Sequence, residues 1–205
     1  MMNKALQARY DEAKKTGILN VSDMNLKTLP PLPDSIVLLD CSKNLLTSLP
    51  DMPASLKGLN CYKNQLTTLP TLPNSLTELY CSYNNLTSLT IPASLTHLYC
   101  NDNQLTNLPT LPDSLVQLYC ENNRITSLPA LPDSLRYLTC AKNPWLEPFA
   151  TIFTHPDPIR SIQSYYTLEK REYNHLRNYY VIIVVIIYAI LRIFRVDRKI
   201  ETDEP

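Results

Sequence analysis

Glycine is nearly missing from this chain: Gly17 and Gly58 are the only two in 205 residues. Phosphate cradles built on several glycines are therefore excluded. Turns must come from the seventeen prolines and the recurring asparagines instead. One-sided charge is missing as well, because 19 basic residues balance 19 acidic ones. That balance argues against a nucleic-acid partner, whose binding needs a basic surface. The six cysteines include no C-x-x-C pair, so zinc-ligand spacing is absent, and no metal or cofactor is expected. The opening residues, MMNKALQARYDEAKKTG, carry charges throughout and no apolar run, which predicts no secretory signal and places the rest of the chain facing the cytosol.

What is present is a period of twenty. LPPLPDSIVLLDCSKNLLTS (29–48) is followed by LPDMPASLKGLNCYKNQLTT (49–68) and LPTLPNSLTELYCSYNNLTS (69–88). The next copy, LTIPASLTHLYCNDNQLTN (89–107), is one residue short. LPTLPDSLVQLYCENNRITS (108–127) and a truncated copy (128–146) follow, and a degenerate one precedes them all. A fixed period over seven units means a solenoid. One short strand per unit is predicted at x-L-x, as around Leu79, with Leu76, Leu79, Cys81 and Leu86 pointing inward. The thiols then form a ladder through the core, where cysteine acts as a small hydrophobe, and redox or metal roles are the alternatives. Asn44, Asn64, Asn84, Asn103, Asn123 and Asn143 form a second ladder, each amide satisfying turn groups that burial would otherwise leave unpaired. Met24 replaces it in the first unit. Paired prolines on the opposite side predict extended, polyproline-like straps.

The unit L-P-x-L-P-x-S-L-x-x-L-x-[CV]-x-x-N-x-L-T-S, across residues 18–146, resembles the short leucine-rich repeats of bacterial effectors of the YopM and IpaH type. It is also similar to repeats of giant-virus proteins. The resemblance implies a leucine-rich repeat solenoid with a concave parallel sheet, and a helical N-terminal cap over 1–17, where Leu6, Tyr10 and Ala13 fall at helical spacing. IpaH-type relatives carry a ubiquitin-ligase domain with a catalytic cysteine. No cysteine lies beyond Cys140 here, so that activity is not carried over and the non-enzymatic scaffold is the expected likeness.

Concave positions are the x residues of each strand. Tyr80, Tyr99 and Tyr119 fall on consecutive rungs and predict an aromatic stripe, with Tyr62, Tyr83, Tyr137 and His97 as further candidate contacts for a protein or peptide ligand. Mere stacking of tyrosines across neighbouring strands is the plainer alternative. No small-molecule substrate is expected. His97 beside Glu78 would offer a small enzyme an acid-base pair, but a nucleophile, an oxyanion donor and a closed pocket are missing from the pattern.

Residues 147–177 read as a C-terminal cap and helical linker, with Trp145, Leu146, Phe149, Ile152 and Phe153 over the last rung. Residues 178–196 (NYYVIIVVIIYAILRIFRV) form a candidate membrane anchor flanked by tyrosines and arginines, and 197–205 a polar tail. The alternative for 178–196 is a helix that packs or oligomerises, leaving a soluble scaffold.

Overall fold

The computed structural model describes residues 4–140 and 142–144. The chain opens with helix α1 (Lys4–Thr16), followed by strands β1 (Ile18–Asn20), β2 (Leu38–Asp40), β3 (Gly58–Asn60), β4 (Glu78–Tyr80), β5 (His97–Tyr99), β6 (Gln117–Tyr119) and β7 (Tyr137–Thr139). All pair in parallel and in sequence order, one strand per turn of a solenoid. The residues predicted to close its far end, from Trp145 to Phe153, and the apolar run 178–196 lie outside the described residues. Among the described residues no helix is long and apolar enough to cross a membrane.

Helix α1 forms because KALQARYDEAKKT is rich in good helix formers and repeats its apolar residues on one face. Leu6, Tyr10 and Ala13 are buried against the first turn, and Lys14 and Lys15 complement the negative end of the helix dipole. Gly17 stops it in a left-handed conformation (φ 73°), its N–H returning to the Ala13 carbonyl. The Gly17 carbonyl then accepts from Val37 and Leu38, so the residue that ends the cap also starts the sheet. The Tyr10 hydroxyl donates to the Pro30 carbonyl at 3.1 Å, and burial pushes its pKa up to about 12.

Each strand buries its central leucine and turns its neighbours outward, as the side-chain alternation of a strand requires. The short unit 89–107 does not disturb this, since Leu79 pairs with Leu98 and Tyr80 with Tyr99 in unbroken register. The missing residue is taken up in the convex strap, where T-I-P replaces P-x-L-P. These straps contain neither helix nor strand. Each is organised by a Pro-x-x-[Leu/Ile] turn, with Leu76 N–H donating to the Pro73 carbonyl and Leu115 to Pro112. Proline suits that place because only its carbonyl is used. The serine of each strap adds a ladder that sequence reasoning missed: Ser75 Oγ reaches the Ala54 and Leu56 carbonyls of the previous turn at 2.7 Å each.

All six cysteines are free and buried. Desolvation pushes Cys61, Cys100 and Cys140 up to about 12 and raises Cys41, Cys81 and Cys120 well above the ordinary range. Such thiols carry almost no thiolate at neutral pH and pack as small apolar groups. The asparagine ladder sits directly beside them. Asn84 donates from Nδ2 to the carbonyls of Cys61 (3.0 Å) and Cys81 (3.1 Å), and its Oδ1 accepts from Leu66 N–H (3.0 Å). One amide thus ties two consecutive turns together. At the first turn the ladder ends where Met24 N–H donates to Asn44 Oδ1.

Candidate functional site

Two columns of outward side chains line the concave sheet, and each changes character midway. Before the central leucine stand Ile18, Leu38 and Gly58, then Glu78, His97, Gln117 and Tyr137. After it stand Asn20, Asp40 and Asn60, then Tyr80, Tyr99, Tyr119 and Thr139.

In the first half the polar side chains fold back on their own turns. Asn20, Asp40 and Asn60 accept from the N–H groups two residues on, at Ser22, Ser42 and Tyr62, over 3.0–3.1 Å. These are Asx turns, and they tie each side chain to its own turn. Beside them Ile18 and Leu38 are exposed apolar residues. Gly58 leaves room for the second: a Cβ there would lie 2.8 Å from Leu38 Cδ2.

The second half carries the aromatic stripe. Tyr80 and Tyr99 stack with centroids 4.7 Å apart and planes 21° apart, and Tyr99 and Tyr119 at 4.5 Å and 6°. Those spacings match the roughly 4.8 Å between neighbouring strands, so the stack follows directly from the register. The Tyr99 hydroxyl donates to Gln117 Oε1 at 2.6 Å and the Tyr80 hydroxyl to Glu78 Oε2 at 3.3 Å. Burial first, then Glu78, raises the Tyr80 phenol pKa; burial and Tyr119 raise that of Tyr99. Both therefore remain neutral, and the three rings present one slab pinned by hydrogen bonds at its hydroxyl end.

The seven predicted contact residues do not form one site. Tyr80, Tyr99 and Tyr119 are joined, whereas His97 and Tyr137 lie in the other column two rungs apart. Tyr137 is 55% exposed and outside the stack. Tyr62 and Tyr83 belong to the edge beyond the strands, where they meet edge to face (5.3 Å, 70°). The acid-base pairing of His97 with Glu78 is not made: His97 Nδ1 is bonded to Thr96 Oγ1 at 2.8 Å, and Glu78 is engaged by Tyr80. Adjacent rungs bring the two residues close in register, but each has a nearer partner within its own strand or just before it. Among the described residues no group of His, Cys, Asp and Glu could hold a metal ion. Sequence reasoning missed the tyrosine partners Glu78 and Gln117. For Glu78 the signal was its place two residues before Tyr80 on the same face of the sheet, whereas Gln117 bonds Tyr99 of the preceding rung, a diagonal that only the register shows.

It also missed the edge conformation. Every turn places a non-glycine residue in the left-handed region immediately before the ladder position: Asp23, Lys43, Lys63, Tyr83, Asp102, Asn122 and Lys142, with φ between 51° and 57°, and the first turn adds Asn25 (φ 54°) just after it. Such a conformation costs roughly 1–2 kcal/mol per residue. It persists because each N–H from Lys43 to Asp102 donates to a carbonyl of the next turn.

The model of paired leucine-rich repeats matches residues 93–133, and that of the single leucine-rich repeat matches 75–94. No curated protein sequence matches the chain. Among solved structures, YopM from Yersinia enterocolitica is similar with 39% identity and a TM-score of 0.57, over 58% of this chain and 27% of that one. The leucine-rich repeat domain of a Shigella effector gives 29% identity and a TM-score of 0.62, over 75% of this chain and 84% of that one. YopM from Yersinia pestis, a leucine-rich effector protein, gives 30% and 0.59, over 68% of this chain and 47% of that one. The chain thus spans less than half the length of either YopM structure.

Proposed function

We propose that this chain, a leucine-rich repeat protein whose repeats resemble those of the YopM and Shigella effectors, is a non-enzymatic binding module that takes a protein or peptide on the second half of its concave face. The observation that carries the reading is the stack of Tyr80, Tyr99 and Tyr119. Three half-buried rings present a rigid apolar surface, and little side-chain entropy is left to lose on binding. Glu78 and Gln117 beside them supply polar rim contacts, as interface cores usually have. A peptide library selected against the full chain tests it. Ligands that bind the native protein should be lost on Tyr99→Ala and on the triple alanine variant. Ligands held equally well by the triple variant would sink the proposal.

The membrane tether at 178–196, with the repeats facing the cytosol, belongs to the same reading. It is supported by the apolar run and its flanking Tyr179, Tyr180, Arg192 and Arg195. Carbonate extraction of membranes holding the full chain, and of a truncation ending at Asn174, separates the outcomes. Retention of only the full chain supports a tether, and loss of both from the pellet removes it.

A further inference from the structure

The left-handed edge residues, taken with Glu121 beside the neutral Asn122, carry a charge pattern that is antisymmetric about Tyr83. Moving outward one turn each way, Lys63 faces Asp102 across the centre. Two turns out, Lys43 is answered by Glu121, which immediately precedes the edge residue Asn122. Three turns out, Asp23 is answered by Lys142. Every sign is inverted by a half-turn about the central tyrosine. The column beyond the buried asparagines is uncharged except for Arg124, and Asp40 and Glu78 belong to the concave face.

Among the described residues none of these charges is in an ion pair within its own chain, the one ion pair there being Lys14 with Asp11, on the helix. Lys43, Lys63 and Lys142 are exposed. Asp102 is held in place by Asn101 Nδ2 at 2.6 Å, by Asn122 Nδ2 and by the Tyr83 hydroxyl, so the central tyrosine also fixes the acidic residue next to it in the row. The backbone of the column is fixed by the inter-turn hydrogen bonds, so the charged side chains spring from a regular row spaced by about one strand separation, roughly 4.8 Å. At the centre, Tyr83 is 48% exposed and braced by Tyr62.

We infer that this edge is an isologous interface, on which a second copy of the chain docks antiparallel about a two-fold axis through Tyr83. A two-fold contact pairs residue i with j and j with i, so an antisymmetric row is the arrangement that sets all six charges of each protomer against opposite charges. Shifting the partner by one turn, or laying it parallel, brings like charges together, which fixes the register. Tyr83 meets its own copy on the axis, as an aromatic anchor inside a charged rim. The concave sheet stays open in this arrangement, so the interface is independent of the binding reading above.

Sedimentation of the full chain in mild detergent, at about 0.05 M and about 0.5 M salt, gives the first measurement. A dimer that dissociates as salt rises is expected. The paired variants Lys43→Glu/Lys63→Glu and Asp102→Lys/Glu121→Lys should each weaken self-association by roughly tenfold or more. Mixed one to one they should form a heterodimer, because every charge of one edge then faces an opposite charge of the other, Asp23 against Lys142 included. That restoration also shows both variants are folded. Oxidation of Tyr83→Cys should give a covalent dimer, whereas Lys142→Cys alone should not, since it lies far from its own copy. A monomer under both salt conditions would overturn the interface. So would a dimer indifferent to both reversals, which would assign association to another surface such as residues 178–196.

Discussion

The two halves of the concave face are built on one backbone and treat it in opposite ways. From β1 to β3 the residue after the central leucine is Asn, Asp or Asn, and it closes the following turn. From β4 to β6 the same position is tyrosine, and it reaches sideways to the next rung instead. The first half is therefore stabilised turn by turn and the second rung to rung. Stability and binding capacity are distributed differently along an otherwise uniform array, and only the second half offers a continuous apolar surface at this position.

Raising the pH removes what the halves share, and has the largest expected effect. The thiols of Cys61, Cys100 and Cys140 titrate near 12 when folded, against an ordinary value of 9.0. A raised thiol pKa favours the neutral, folded form, so its contribution is complete below pH 9 and is lost as pH climbs from 9 toward 12. Each such thiol removes about 1.4 kcal/mol per pH unit in that window. Circular dichroism should show flat stability at neutral pH and cooperative unfolding above pH 9 in both halves together.

Asn84→Ala should separate the halves. Asn84 sits on the fourth turn and bonds backbone groups of the third, so its loss leaves buried groups unpaired where the two regions meet. About 3 kcal/mol of destabilisation is expected. Because a solenoid couples only neighbours, the urea transition should also broaden or split. A single sharp transition at unchanged midpoint would contradict this.

Tyr99→Ala against Asn60→Ala measures the contrast directly. The first removes the central ring with both of its stacking contacts and the bond to Gln117, for about 2 kcal/mol. The second removes one Asx contact, for about 1 kcal/mol or less. Equal losses by chemical denaturation would mean the stack adds nothing to its own half. Gly58→Ala should be the mildest change, below about 1 kcal/mol, since the only close atom is the flexible tip of Leu38. Its cost should fall further in a Leu38→Ala background.

The strands, both ladders, the helical cap and the aromatic stripe were legible because each depends on a residue type recurring at a fixed place. Leu79, Cys81 and Asn84 say the same thing in every copy, and period outweighs weak local preference. The edge was not legible, because the left-handed position is filled by Lys, Tyr, Asp and Asn in turn and the conformation is imposed by neighbouring turns. Whether Glu78 and His97 pair was not legible for a related reason. Register shows which residues are adjacent, but rotamer choice decides which of them touch, and Tyr80 and Thr96 were nearer.

The unit 89–107, one residue short yet in register, shows that the molecule keeps count only on its concave side. A copying slip that adds or drops a residue in a proline strap leaves the tyrosines aligned, whereas the same slip beside a central leucine would turn every following side chain to the wrong face. Such an array can be lengthened or shortened by imperfect duplication while its reading face stays in phase.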